Sequence, residues 1–292
     1  MTIKTYPDYL RARKIPVVEL GGVHWMQYNR ALIPASAMPV HIELDRPAAL
    51  EAVKKTGSLF LRYTTRPGDT ETGWWNMICR EYSMSRVSAN TRSKIRRGLK
   101  RMSIHRAEPL WLAEHGYECH VQSYARYQNA SPMSREAFYA FLSSLDGLPF
   151  FDAWACRDND ELRGYILCLR EKEGVFLHTI DITPAGLKDY AAYAMIHHLL
   201  DHYINEAGLP VCNGSRSISH ATEMQDFLAK FGFEREHCTL HILYRPGVKI
   251  AIRILYPLRN MIKYLQFLPV IQKISAVLHQ EEIARNQPGV SS

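Results

Sequence analysis

Residues 208–246, GLPVCNGSRSISHATEMQDFLAKFGFEREHCTLHILYRP, place a strand, a helix and a second strand in one short span. Pro210 to Asn213 reads as an apolar strand that opens into a polar loop from Gly214 to Ser219. Ser219 is the expected cap of a helix whose Met224, Phe227, Leu228 and Phe231 fall at helical spacing. Gly232 then supplies a left-handed stop, and Cys238 to Tyr244 resumes the alternation of a strand.

Working upstream, helices are expected at Ala113–Gln128 and Ser134–Leu145, the second opened by Ser134 with Glu136 in its first turn. Strands at Phe150–Arg157 and Arg163–Glu171 are joined by Asp158, Asn159 and Asp160, and a third strand covers Gly174–Ile182. After a loop at Thr183–Lys188 comes a long helix, Asp189–Ala207. Nearer the N-terminus, Val23–Ala35, Ser58–Thr65 and Trp75–Ser83 read as strands and Arg46–Thr56 as a helix. Ser88–Met102, SANTRSKIRRGLKRM, is a helix with Ile95, Leu99 and Met102 on one face and Arg92, Lys94, Arg96, Arg97, Lys100 and Arg101 around the rest.

The composition is that of a folded globular chain of 292 residues, long enough for one large or two moderate domains. No apolar run is long enough for a signal peptide or a membrane span, which implies a cytoplasmic protein. Six scattered cysteines without CxxC read as reduced, buried thiols. A formal charge of +7 favours anionic partners such as a phosphorylated cofactor, RNA or an acidic membrane surface. The arm Lys249–Leu278 alternates apolar runs with Lys249, Arg253, Arg259, Lys263 and Lys273. It fits either a peripheral membrane contact or an arm that packs across the body, and residues after Gln280 read as a disordered tail.

The phrase FLAKFGF before a final strand, and the order helix, helix, three strands, helix, strand, helix, strand over residues 111–245, resemble the GNAT acyltransferase superfamily. With the basic helix TRSKIRRGLKR upstream, the chain is similar to the Fem-type peptidoglycan-bridge aminoacyltransferases, whose two halves are both GNAT-like. The resemblance implies an α/β (α+β) fold, a GNAT-like mixed β-sheet flanked by helices in two halves. The expected divisions are 1–110, 111–248 and a basic-apolar arm and tail at 249–292. It also implies transfer of an acyl or aminoacyl group to an amine acceptor. The donor would be acyl-CoA, including acetyl-CoA, or acyl carrier protein or aminoacyl-tRNA, with no metal.

In that family the donor lies in a gap beside a splayed strand, with its phosphates over a helix N-terminus. The matching positions are Thr179, Ile180 and Ile182, then Gly186 and Lys188, with Asn213 and Ser215 at the end of the next strand. The segment PAGLKDYAAYA departs from the family's glycine-spaced basic loop by placing Asp189 where a phosphate would lie. His178 and Asp181 are candidate proton acceptors, and on a regular strand they would face opposite sides. Each also has a purely structural reading, as a hydrogen-bonded sheet histidine and a paired buried carboxylate. Arg216 could grip a phosphate or carboxylate, although a polar turn with a helix cap explains part of the same loop. That loop lacks the trailing glycine of a nucleophile elbow. The pairs His198/His202 and Cys238/His241 have no acidic partner at zinc-site spacing. The competing class is a non-catalytic module that binds RNA or a membrane surface through the basic helix and the arm.

Overall fold

A computed structural model describes residues 3–67, 70–125, 131–216, 218, 223–263 and 269–287. The expected cap Ser219 lies outside the described residues. The chain divides into two compact units, the first formed by Met1–Met77, Ser215–Gln225 and Arg235–Ser292, the second by Ile78–Gly214 and Asp226–Glu234. The first division thus falls between Met77 and Ile78 and not at the expected boundary near residue 110, and the basic helix lies in the second unit.

In the first unit, α1 (Tyr6–Ala12) precedes strands β1 (Val17–Leu20), β2 (Val23–Tyr28) and β3 (Ala31–Pro34). The single strand expected over Val23–Ala35 is a hairpin, because Asn29 and Arg30 both take positive φ and turn the chain in two residues. Helix α2 (Arg46–Lys55), capped by the Asp45 carboxylate, leads to β4 (Phe60–Pro67) and β5 (Trp75–Cys79), whose last residues pass into the second unit. The sheet runs β1, β2, β3, β4 and then β11 (Glu234–Tyr244), which is antiparallel to β4. Trp25, Leu32, Ala49, Val53 and Leu61 close the core beneath α2.

The second unit opens with α3 (Ala89–Arg101), capped by Ser88 Oγ, and β6 (Ser103–Ala107). Helices α4 (Pro109–His115) and α5 (Tyr117–Tyr124) replace the first part of one expected helix, broken at Gly116. They are followed by α6 (Arg135–Ser143), β7 (Phe151–Asp158), β8 (Glu161–Glu171) and β9 (Gly174–Ile182). The expected loop at Thr183–Lys188 contains the short helix α7 (Pro184–Lys188), and α8 (Ala191–Leu200) continues as a π-helical segment, Asp201–Glu206. Strand β10 (Val211–Ser215) and helix α9 (Met224–Ala229) complete the predicted step, with Gly232 at φ 93° as its stop.

The second sheet has the order β10, β9, β8, β7, β6, and its central strand is buried from Gly164 to Leu169. One face is covered by α5 and α6 and the other by α8. Tyr165 and Asp181 meet His120 of α5, while Trp154 meets His198 of α8 and donates to the Tyr203 hydroxyl beyond that helix. Helix α3 lies on α8 through Gly98, where a Cβ would sit 2.6 Å from the Tyr190 carbonyl oxygen and 2.9 Å from Ala194 Cβ. Thr91, Ile95 and Gly98 are therefore the buried face of α3, and Leu99, expected inside, is exposed.

In the first unit the C-terminal arm forms α10 (Pro246–Leu255), a 3₁₀ turn, α11 (Arg259–Lys263) and α12 (Pro269–Arg285). It packs across the body, with Ile252, Ile274, Val277 and Leu278 against Phe60 and Tyr244. The tail expected to be disordered after Gln280 continues α12 to Arg285, and the Gln287 side chain hydrogen-bonds both the amide and the carbonyl of Leu240. No helix among the described residues is long and apolar enough to cross a membrane.

Candidate functional site

Strands β9 and β10 pair in parallel at only two positions, Val211 with Val175 and Cys212 with Phe176, and then separate. Beyond that point β9 stays paired to β8 on its other edge as far as Ile182. The loss of pairing coincides with exposure: Phe176, His178, Thr179 and Ile180 are half-buried, as are Asn213 and Gly214, while the facing residues of β8 are buried. An open strand edge offers backbone donors and acceptors to a ligand. Gly214 marks the departure, since at φ 81° a Cβ there would lie 3.2 Å from the Phe176 ring.

A bulge decides which side chains meet. The register between β8 and β9 shifts between Leu167 and Cys168, which leaves His178 as the extra residue of β9. His178 and Asp181 consequently lie under the same helical layer: the His178 ring stacks on Phe141 of α6, while Asp181 reaches α5. The expectation of opposite sides assumed a regular strand.

Asp181 is buried and fully engaged. It accepts from Tyr165 Oη at 2.5 Å, His120 Nδ1 at 2.7 Å and Ser123 Oγ at 2.9 Å. His120 Nε2 in turn accepts from the Met133 amide at 3.1 Å, which fixes the ring as the neutral tautomer protonated at Nδ1. His178 has a different setting. Its Nδ1 meets Thr179 Oγ1 at 3.0 Å, and Phe141, Phe151 and Phe176 surround the ring. Burial lowers its pKa, so the imidazole is neutral at pH 7.

The segment between β9 and α8 has its own economy of contacts. Thr183 Oγ1 accepts from the Gly186 amide at 3.0 Å, and a Cβ on Gly186 would stand 2.5 Å from the Arg163 carbonyl oxygen. Gly186 thus packs α7 onto β8, with its amide already bonded; Ile182 is buried beside it, and Lys188 is exposed. Tyr190, left-handed at φ 64°, precedes α8, and no side chain caps that helix. Its first-turn amides are an electropositive terminus.

Three cations of α3 lie along this end of α8. Lys94 Nζ stands over the Tyr193 ring at 5.2 Å and Arg97 over Tyr190 at 5.9 Å. Arg101 bonds Asp189 at 2.7 Å and Asp158 at 2.9 Å, so the acidic residue expected to oppose a phosphate is neutralised by the basic helix. The basic character of α3 was legible in sequence. Its docking on α8 was not, because it depends on Gly98.

Asn213, at the departing end of β10, makes no side-chain hydrogen bond among the described residues. Ser215 and Arg216 belong to the first unit. There the Ser215 carbonyl accepts from Gln225, and Arg216 donates to the Gly73 carbonyl at 2.6 Å while its guanidinium lies 4.5 Å from the centre of the Trp75 ring. Arg235 approaches the same ring at 4.7 Å. Burial and Arg235 both lower the Arg216 pKa. Of the histidines weighed as ligands, His198 and His202 stand edge-on to Trp154, and His202 also pairs with Glu206. Among the described residues no group of three or more His, Cys, Asp or Glu side chains is placed to hold a metal ion.

No family model and no curated protein sequence matches the chain. Solved structures do match in fold. FemX is 9% identical with a TM-score of 0.58, covering 85% of this chain and 92% of its own. The C-terminal domain of a putative lysylphosphatidylglycerol synthetase from Agrobacterium fabrum is 11% identical with a TM-score of 0.53, covering 87% of this chain and 90% of its own. L-PGS from Bacillus licheniformis is 10% identical with a TM-score of 0.50, covering 87% and 97%. The chain has the GNAT/Fem-like fold.

Proposed function

We propose that this chain transfers an acyl or aminoacyl group from a phosphate-bearing donor to an amine, in the gap where β9 and β10 part. The observation that carries this reading is the divergence itself, two paired positions followed by an unpaired, half-buried strand edge; the helix that follows β9 has an uncapped terminus flanked by Lys94 and Arg97. Phosphates of the donor would lie over the first turn of α8, where amides and the two cations favour negative charge. The acyl carbonyl would lie along the open edge of β9, whose backbone amides can hold the oxyanion. Attack by the amine forms the new amide bond and expels the donor's alcohol or thiol. His178, neutral and half-buried, is the group suited to carry the amine's proton toward that leaving group.

Asp181 and Arg216 are better suited to holding structure than to turnover, since each is bound up in contacts of its own unit. Among donors, aminoacyl-tRNA fits the basic helix, and the name of one fold neighbour, a putative lysylphosphatidylglycerol synthetase, brings aminoacyl chemistry on a lipid into the comparison. Acyl-CoA and acyl carrier protein present the same phosphate chemistry. Thermal melts with acetyl-CoA, longer acyl-CoAs and acyl carrier protein, beside a binding assay with charged tRNA, distinguish them, because a ligand of the native state raises its apparent stability. The donor should lose about 10-fold or more in affinity when Lys94 and Arg97 are both changed to Gln. If none of these donors binds, the chain is a non-catalytic module on the same fold.

A further inference from the structure

The arm of the first unit carries two opposed apolar stripes. From Pro246 to Lys263 the chain is helical throughout, apart from one tighter turn. Val248, Ile252, Leu255, Tyr256 and Ile262 face inward and join the core cluster that holds Ala31, Phe60, Tyr244 and Leu278. Ile250, Ile254, Leu258 and Met261, at spacings of four, four and three residues, form the other stripe and are 63%, 63%, 46% and 69% exposed. A surface helix needs only its inward stripe, so the outward one calls for a partner.

The charge around it selects that partner. No Asp or Glu occurs between Glu236 and Glu281, whereas Arg245, Lys249, Arg253, Arg259, Lys263 and Lys273 all do. Lys249 and Arg253, one helical turn apart on the flank between the stripes, form no ion pair among the described residues. We propose that this helical arm docks on an anionic lipid bilayer, with Ile250, Ile254, Leu258 and Met261 entering the acyl boundary and Lys249 and Arg253 on lipid phosphates. An amphipathic helix lying in the interface combines these two contributions, buried apolar area and attraction to anionic lipid. RNA would use the cations and leave the stripe in water. A second copy meeting this face symmetrically would set cation against cation.

The proposal does not depend on the donor or on any catalytic activity. Its test is flotation of the full-length protein with phosphatidylcholine vesicles, with and without phosphatidylglycerol, across a salt series. Binding to the anionic vesicles alone is expected, about 10- to 30-fold weaker for the Lys249→Gln, Arg253→Gln variant, given roughly 1 kcal/mol per cation near such a surface. Ile250→Ser with Ile254→Ser, both solvent-exposed and therefore tolerated by the fold, should lose a comparable amount. Three results would overturn it: no binding to anionic vesicles at low salt, a serine variant that floats like the native protein, or a salt-insensitive dimer that the serine variant abolishes.

Discussion

Asp181 shows how a residue's surroundings choose between two roles. Three buried donors converge on its carboxylate and tie α5 to β8 and β9, so removing one charge disturbs several partners together. Asp181→Asn turns one acceptor atom into a donor that faces at least one of them. The expected loss is about 1–3 kcal/mol, the range for stranding a buried polar group. Urea denaturation should show a lower midpoint with an unchanged slope. Native stability in this variant alongside abolished turnover would instead make Asp181 the proton acceptor. His178 is the converse case: its one polar contact among the described residues, to the neighbouring Thr179, leaves it open to chemistry.

At the scale of elements, the gap and the anion site both depend on close approaches. Gly98 lets α3 settle on α8, which brings Lys94 and Arg97 beside Tyr193 and Tyr190. Gly98→Ala gains at most about 1 kcal/mol of helix propensity but places a methyl against a backbone carbonyl, an overpacking that costs about 1–3 kcal/mol. The variant should melt lower and bind the donor more weakly, since the two cations move with the helix; unaltered stability would mean that α3 does not seat as described. The order of elements from α6 to β11 was legible because hydrophobic period, caps and turn residues agree there. Several features were not. The Asn29–Arg30 turn lacks the glycine that announces such hairpins, β6 has too few apolar residues to stand out, and the β9 bulge leaves no mark in composition. The parting of β9 and β10 is implied by the family resemblance, whereas the side to which His178 and Asp181 point is not legible in sequence, because the alternation of a regular strand fails at a bulge.

Across the whole molecule, histidines that folding partly desolvates make stability depend on pH. His105, His178, His197, His198 and His241 all have lowered pKa values, with burial the leading cause in each. Arg157 adds to it at His105, while Asp201 and Glu43 oppose it at His197 and His241. In the unfolded chain these rings titrate near 6.5. Between that value and their lower native pKa values the unfolded state therefore binds more protons, and stability rises with pH. Above about pH 8 the rings are neutral in both states and exert almost no slope. As pH falls from about 6.5 toward 5, each ring protonates in the unfolded chain before the folded one, and the native state loses ground. Urea midpoints measured across this interval should fall steadily, with His178→Gln flattening the slope because that ring, set among three phenylalanines, has the least access to solvent counter-charge. A midpoint that held constant or rose on acidification would show that these histidines are hydrated in the native protein, and would remove the basis for a neutral His178 as the carrier of the amine's proton.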